Sequence, residues 1–427
     1  MTSSPRPKRP KHPACPPPPL LLVLVHTAAA LLAAAALLAT LRTGLDERGT
    51  ALAFGLLVTV GELARWTGAQ VREAAPLAAA GALSYALLGA DAGEPSRHGA
   101  AQVIAVVVGA ALLGAVPHIA RGQRGLLDHL ARRVLTVGFA AVCFQPLHLQ
   151  GTFSRWGGPA QALLLLALLA LTALCDAVLA AALAHSRTRW PFGPLLRDEL
   201  RALLGIGSAV CATGAVMALA VAVAGLWALP VFCLPLLLTQ LSFRRYAAVR
   251  ATYRQTIASL ARATEIAGYT PAGHARRVAA LGQAVGRDLG LSEPELTVLE
   301  YAALMHDIGQ LSLVDPVPAG ATAGLPAQEQ RRIALLGGAV VRQTGVNAQV
   351  AMVVERQADP WPEQPVAARV VRAVNAYEEK ARDAGPGGPL KALEELRLAT
   401  AEEYAPEVVE ALARVLSRDC LTLPAAG

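Results

Sequence analysis

Eight apolar runs in the first 242 residues constrain this chain more than any other feature. They lie near 20–41, 50–64, 74–90, 99–120, 134–149, 160–184, 203–223 and 226–242 and consist mainly of Ala, Leu and Val. A helix needs about 20 apolar residues to cross a hydrocarbon core of about 30 Å, so runs of this kind point to a polytopic helical membrane domain over residues 20–242. The second and third runs are short for that task. With 54% hydrophobic residues, 4% aromatic and a mean hydropathy of +0.43, the chain is too apolar for an ordinary soluble protein.

Charge divides the chain at the same place. Residues 1–242 hold 18 Lys+Arg against 10 Asp+Glu, and residues 243–427 hold 20 against 21, so the whole excess of +7 lies in the apolar part. The second part lacks the basic surplus that phosphate-backbone binding needs, and nucleic acid is excluded as its partner. The surplus instead orients the spans. One set of alternate connections holds the basic residues of the Pro-rich tail 1–19, then Arg65 and Arg72, then Arg121, Arg124, Arg132 and Arg133, then Arg187, Arg189, Arg197 and Arg201, then Arg244 and Arg245. The other set holds Arg42, Arg48, Arg97 and Arg155. Because Lys and Arg collect on the cytoplasmic side, this predicts a multi-pass plasma-membrane protein, in contact with the lipid bilayer, with both termini in the cytoplasm. The tail itself should be disordered. Few ionisable side chains fall inside the runs, notably Glu62, His118, His148 and Asp176. Such groups are functional candidates by default, but they form no motif and offer no obvious translocation path. The six cysteines are scattered without a Cys-x-x-Cys, which argues against a disulfide framework or a zinc ribbon.

From Phe243 onward the pattern becomes that of a water-soluble all-α domain. Val249, Tyr253, Ile257 and Leu260 form a helical stripe that continues the last span as a connecting helix over 243–267. This helix could pair with its copy in a homodimer. Thr270-Pro271 reads as the start of the next helix, running to Leu289 and stopping at Gly290, with His274, Val278, Leu281 and Val285 on its inward stripe. Ser292 and Glu295 have capping-box spacing for a third helix, whose stripe is Leu296, Leu299, Ala303 and His306 with Gly309 as its stop. Further helices are predicted over 327–344, 348–357, 365–384, 390–398 and 406–417, and no segment alternates as a strand would.

Two inward histidines and the adjacent Asp307 are the side chains best suited to chemistry. An imidazole nitrogen beside a carboxylate oxygen is a ligand set for a divalent metal. Residues 243–427 contain only these two histidines, His274 and His306.

The segments GHARRV (Gly273 to Val278), LMHDIGQ (Leu304 to Gln310) and APEVVEAL (Ala405 to Leu412) resemble the HD superfamily, and most closely its HD-GYP branch, over roughly 255–415. The resemblance implies an all-α HD domain over 268–427 that acts as a metal-dependent phosphohydrolase. In the HD-GYP branch the substrate is a cyclic dinucleotide, usually cyclic di-GMP, opened by a hydroxide held on two or three metals. By position His274, His306 and Asp307 correspond to the family's first metal ligands, and Asp307 to a catalytic group. Gln310 stands where the family has a lysine facing the phosphate. Asn375 stands at the final aspartate and could still offer a carbonyl oxygen, with Glu378 one turn later as a further carboxylate. Ile333, Val353 and Val354 occupy positions of further histidines, and the GYP element is missing. The implied cofactor is therefore at most one divalent ion, Mn, Fe, Mg or Zn. Two functions stay open: a membrane-tethered phosphohydrolase acting on a nucleotide or cyclic dinucleotide, or an inactive HD domain that binds and signals beneath a membrane sensor.

Overall fold

The computed structural model describes residues 20–65, 75–120, 125–151, 158–188 and 190–418, apart from 189, 316, 318, 319, 384 and 386. The tail 1–19, Arg72, Arg121, Arg124, Arg155, Cys15 and Cys420 lie outside the described residues. The chain divides into two compact units. The first takes in 1–65, 75–189 and 203–234, and the second 66–74, 190–202 and 235–427.

Each apolar run becomes a helix. The first unit contains α1 (Leu20–Thr43), α2 (Arg48–Leu63), α3 (Pro76–Ala86), α4 (Ala100–Ala120), α5 (Leu126–Leu149), α6 (Gly158–Thr188) and, beyond a helix α7 (Phe192–Ala202) that belongs to the second unit, α8 (Ser208–Ala224). Among the described residues five stretches are long and apolar enough to cross a membrane, the last of them the 59 residues Ser208–Ile266. The predicted eight runs reduce to five for two physical reasons. At 16 and 11 residues α2 and α3 are short, since 1.5 Å per residue carries α3 only about 16 Å. In addition α8 and α9 (Ala228–Ile266) are separated only by a 3₁₀ turn at Gly225–Trp227.

Burial explains how the short helices are accommodated. All eleven residues of α3 are buried, so it is enclosed by its neighbours, whereas Leu20, Leu24, Leu31, Leu38 and Leu41 of α1 are exposed. An open apolar face of this kind is stable only against an apolar surrounding. Gly61 and Gly114 permit the close packing. A Cβ on Gly61 would lie 2.4 Å from the Ala78 backbone nitrogen, and one on Gly114 would lie 2.5 Å from Glu62 Cβ, the close approach that small residues allow between apolar helices. The ionisable groups are paired. Glu62 is buried and meets His129 Nε2 at 3.0 Å, while its carbonyl lies 3.1 Å from His118 Nε2. Asp176 pairs with Arg132 at 2.9 Å, and His26, a further ionisable residue within the first run, pairs with Asp128 at 2.9 Å. A two-residue hairpin, β1 (Ala90–Asp91) with β2 (Glu94–Pro95), is the sole sheet among the described residues.

The second unit is all-α. Its helices are the C-terminal part of α9, α10 (His274–Asp288), α11 (Glu293–Met305), α12 (Ala327–Gln343), α13 (Ala348–Arg356), α14 (Val366–Asp383), α15 (Gly388–Leu398) and α16 (Pro406–Arg418). One core joins them, with Val278, Leu299, Met305, Val371, Tyr377 and Leu412 at its centre. From α9 only Tyr253, Ile257, Leu260 and Ala261 reach this core, and Val249 stays exposed. The segment 190–202, read from sequence as a basic connection, packs on this unit. The Arg287 guanidinium lies 3.9 Å from the Trp190 ring centre, and Arg197 Nη2 donates to the Gly290 carbonyl at 2.8 Å.

Two helix ends differ from expectation. α10 begins at His274 rather than at Thr270-Pro271, because Thr270 Oγ1 turns back to Thr264 Oγ1 at 3.0 Å and Gly273, at φ +73°, makes the entry turn. α11 starts with the predicted capping box, Ser292 N donating to Glu295 Oε2 at 2.7 Å, but ends at Met305. Gly309 is therefore no helix stop; it lies in a 3₁₀ turn, Ile308–Ser312, where a Cβ would fall 2.1 Å from the Ile333 carbonyl oxygen.

Candidate metal centre

Three elements bring the polar cluster together. The first residue of α10 supplies His274, the two residues directly after α11 are His306 and Asp307, and the middle of α14 supplies Asn375. All four are buried. His274, His306 and Asp307 place one ligand atom each within 4.8 Å of one another, and among the described residues no other group of His, Cys, Asp or Glu does so.

Hydrogen bonding on the outer side of each ring decides what faces inward. His274 Nδ1 lies 2.6 Å from Glu378 Oε2, and His306 Nδ1 lies 2.8 Å from the Ala303 carbonyl. Both partners only accept, so both Nδ1 atoms carry the proton and donate. Each neutral ring then presents a bare Nε2 lone pair to the interior. His274 Nε2 stands 3.3 Å and His306 Nε2 3.1 Å from the same atom, Asp307 Oδ2. His306 Nε2 is also 3.1 Å from Asn375 Oδ1, whose orientation is set by Asn375 Nδ2 donating to Glu379 Oε1 at 2.8 Å. Four acceptor atoms thus converge, and His274 Nε2 and Asp307 Oδ2 have no hydrogen-bond partner. Only a cation reconciles them, either an added proton or a metal. Ligands about 2.1 Å from one ion stand roughly 3–3.5 Å apart, and the three pairs above, at 3.1–3.3 Å, fall in that range. The residues fit a single divalent ion bound by two nitrogens and one or two oxygens.

Electrostatics agrees. Burial opposes charge on His274, but the carboxylates of Asp307 and Glu378 outweigh it and push the ring up to about 10. His306 is raised for the same reason, by the Asp307 carboxylate against burial. Asp307 is held well below the usual carboxylate range, the two imidazoles overcoming its burial. Glu378 is likewise lowered, to about 2, by His274 and Arg277. In the metal-free protein protons supply the positive charge that the carboxylates demand.

Residues 272–380 match the family model of the HD domain. This segment is an HD domain. HD domains are of the metal-dependent phosphohydrolase type, and the His-His-Asp group above lies within the matched segment. The chain has no match among curated proteins or solved structures.

The remaining sequence candidates fall in different places. Gln310 is fully buried and donates from Nε2 to Asp307 Oδ1 at 2.9 Å. Glu378 takes no place among the converging atoms; it binds His274 on the far side of the ring, together with Arg277. Ile333 forms part of the wall of a pocket beside the cluster, and Val353 and Val354 belong to the hydrophobic core. The pocket, of about 50 Å³, has room for a few waters and is bounded by His306, Asp307 and Asn375 on the side of the cluster. Sequence reasoning missed the supporting residues: Glu379, which accepts from Asn375 and from the backbone of Thr322 and Ala323, and Gln357, which donates to the His306 carbonyl at 2.8 Å. The spacing Asn375, Glu378, Glu379 on one helix was the available signal, since i, i+3 and i+4 share a face.

Proposed function

We propose that this protein is a membrane-embedded phosphohydrolase whose HD domain lies on the cytoplasmic side and acts on a phosphoester of the nucleotide or cyclic-dinucleotide class with one divalent ion, Mn, Fe, Mg or Zn. The observation that carries this is the convergence of His274 Nε2, His306 Nε2, Asp307 Oδ2 and Asn375 Oδ1 without donors between them. A bound divalent ion offsets phosphate charge and brings the pKa of bound water toward neutrality. The chain's own residues do the rest. Glu378 and the Ala303 carbonyl hold the two rings in the tautomer that leaves Nε2 free. Gln310 holds Asp307 Oδ1, which gives it a positioning role rather than contact with the phosphate. The side chains of Ile333 and Ala334 border the pocket beside the cluster.

The test is turnover of cyclic di-GMP and of a generic phosphodiester by the detergent-purified chain loaded with Mn. Hydrolysis abolished by His306→Ala supports the reading. A second reading, binding and signalling without hydrolysis, draws on the absence of further histidines at Ile333, Val353 and Val354. Saturable nucleotide binding with no product would favour it.

A further inference from the structure

The pocket beside the cluster contains one permanent cation. Arg372 lies on α14 three residues before Asn375, so both side chains project from the same helical face, and both line the pocket together with His306 and Asp307. Arg372 Nη1 donates to the Asp359 carbonyl at 2.8 Å, which anchors one corner of the guanidinium. Among the described residues no carboxylate lies within ion-pair distance of it, in contrast to neighbouring arginines on the same unit. Arg356 pairs with Asp359 at 3.1 Å and Arg369 with Glu407 at 2.9 Å.

The two glutamine amides of the pocket are spent on the fold. Gln330 Nε2 donates to the carbonyls of Ala323 and Leu325, and Gln357 Nε2 to that of His306. A guanidinium has five N–H donors in a planar fork suited to two oxygens of one oxyanion. Here most of that fork remains uncommitted, at the edge of a polar pocket that also reaches the metal-binding cluster. Gln310, which stands where the resemblance implies a phosphate-facing lysine, is buried against Asp307 and does not line the pocket.

We propose that Arg372 is the anion-recognition residue of this pocket, receiving two oxygens of a phosphoryl group whose remaining oxygen faces His306 and Asp307. This deepens the phosphohydrolase reading and rests on it for the identity of the anion. Asn375 and Arg372 would then hold the two ends of the site from one helix, the first toward the ion and the second toward the phosphate.

Calorimetric titration of inorganic phosphate into the detergent-purified full chain, with Mn and after chelation, tests it. Metal content and melting temperature are measured on the same samples. Arg372→Gln is expected to weaken phosphate binding about 10- to 100-fold, the usual effect of losing a charge-assisted hydrogen-bonded pair, with metal content unchanged. Arg372→Lys keeps stem and charge, and so the fold, but loses the fork; it is expected to weaken binding about three- to tenfold. Phosphate affinity unchanged in either folded variant, or no phosphate binding by the wild type, overturns the inference. If metal is bound but phosphate affinity ignores Arg372, the inference falls while the metal reading stands. If no metal is bound but phosphate still depends on Arg372, the metal reading falls and the anion site stands.

Discussion

His274 Nδ1 donates to Glu378 Oε2 at 2.6 Å across more than a hundred residues of chain, and that bond aims the opposite nitrogen of the ring at Asp307. In the proposed metal site Glu378 would prepare the imidazole for ligation, by fixing its tautomer and raising its basicity. Glu378→Ala should therefore lower metal affinity about 10- to 100-fold, as outer-shell losses do, with Glu378→Gln closer to wild type because an acceptor remains. Competition titration against a chelating dye measures this.

Asn375 donates to Glu379 while its oxygen faces the cluster. Asn375→Asp removes that donor and sets a second carboxylate against a buried one. The metal-free form should lose on the order of 1–3 kcal/mol, the cost of leaving a buried polar group unsatisfied, and an added ion should restore more stability than it does in wild type. Melting temperatures with and without Mn give both values.

The metal-free protein should show a defined dependence on pH. His274, raised from 6.5 to about 10 in the fold, contributes stability that is fully present below about pH 6.5 and is lost as pH rises through about 10. Glu378, lowered from 4.5 to about 2, contributes stability that is present above about pH 4.5 and is lost as pH falls through about 2. Metal must displace the His274 proton, so its affinity should climb as pH rises toward about 10. Denaturant melts after chelation should decline from pH 7 to 10 in wild type and lose that slope in His274→Ala.

Gly309→Ala forces a methyl group onto the Ile333 carbonyl and the Gly337 backbone. Overpacking against backbone costs about 1–3 kcal/mol or more, and here it also displaces the turn that follows Asp307. Gly324→Ala, at a position with nothing within 4 Å, should be near neutral. A pair of thermal melts decides between them.

The periodicities that mark a helix face were enough to turn His274 and His306 inward, and the capping box at Ser292 marked where α11 begins. The apolar runs likewise revealed each helix of the first unit. Run length and crossing competence are different properties, however. α3 is a helix because it is Ala-rich, yet it is short and wholly enclosed, and only packing shows that. The role of Gly309 was misread for a similar reason, since glycine at a helix end and glycine under a neighbouring backbone look alike in a sequence. Glu378 passed as a ligand because spacing puts it on the right face but cannot say which side of the imidazole it meets. Arg372 was one arginine among many until its neighbours were seen to have carboxylate partners.

The most direct measurement is the metal content of the purified full-length chain after exposure to Mn, Fe, Mg and Zn in turn and removal of excess. One ion per chain is expected with at least one of these metals, lost in His306→Ala and Asp307→Ala while helicity is kept. A wild-type chain that is folded and retains no stoichiometric metal under any of them would contradict it.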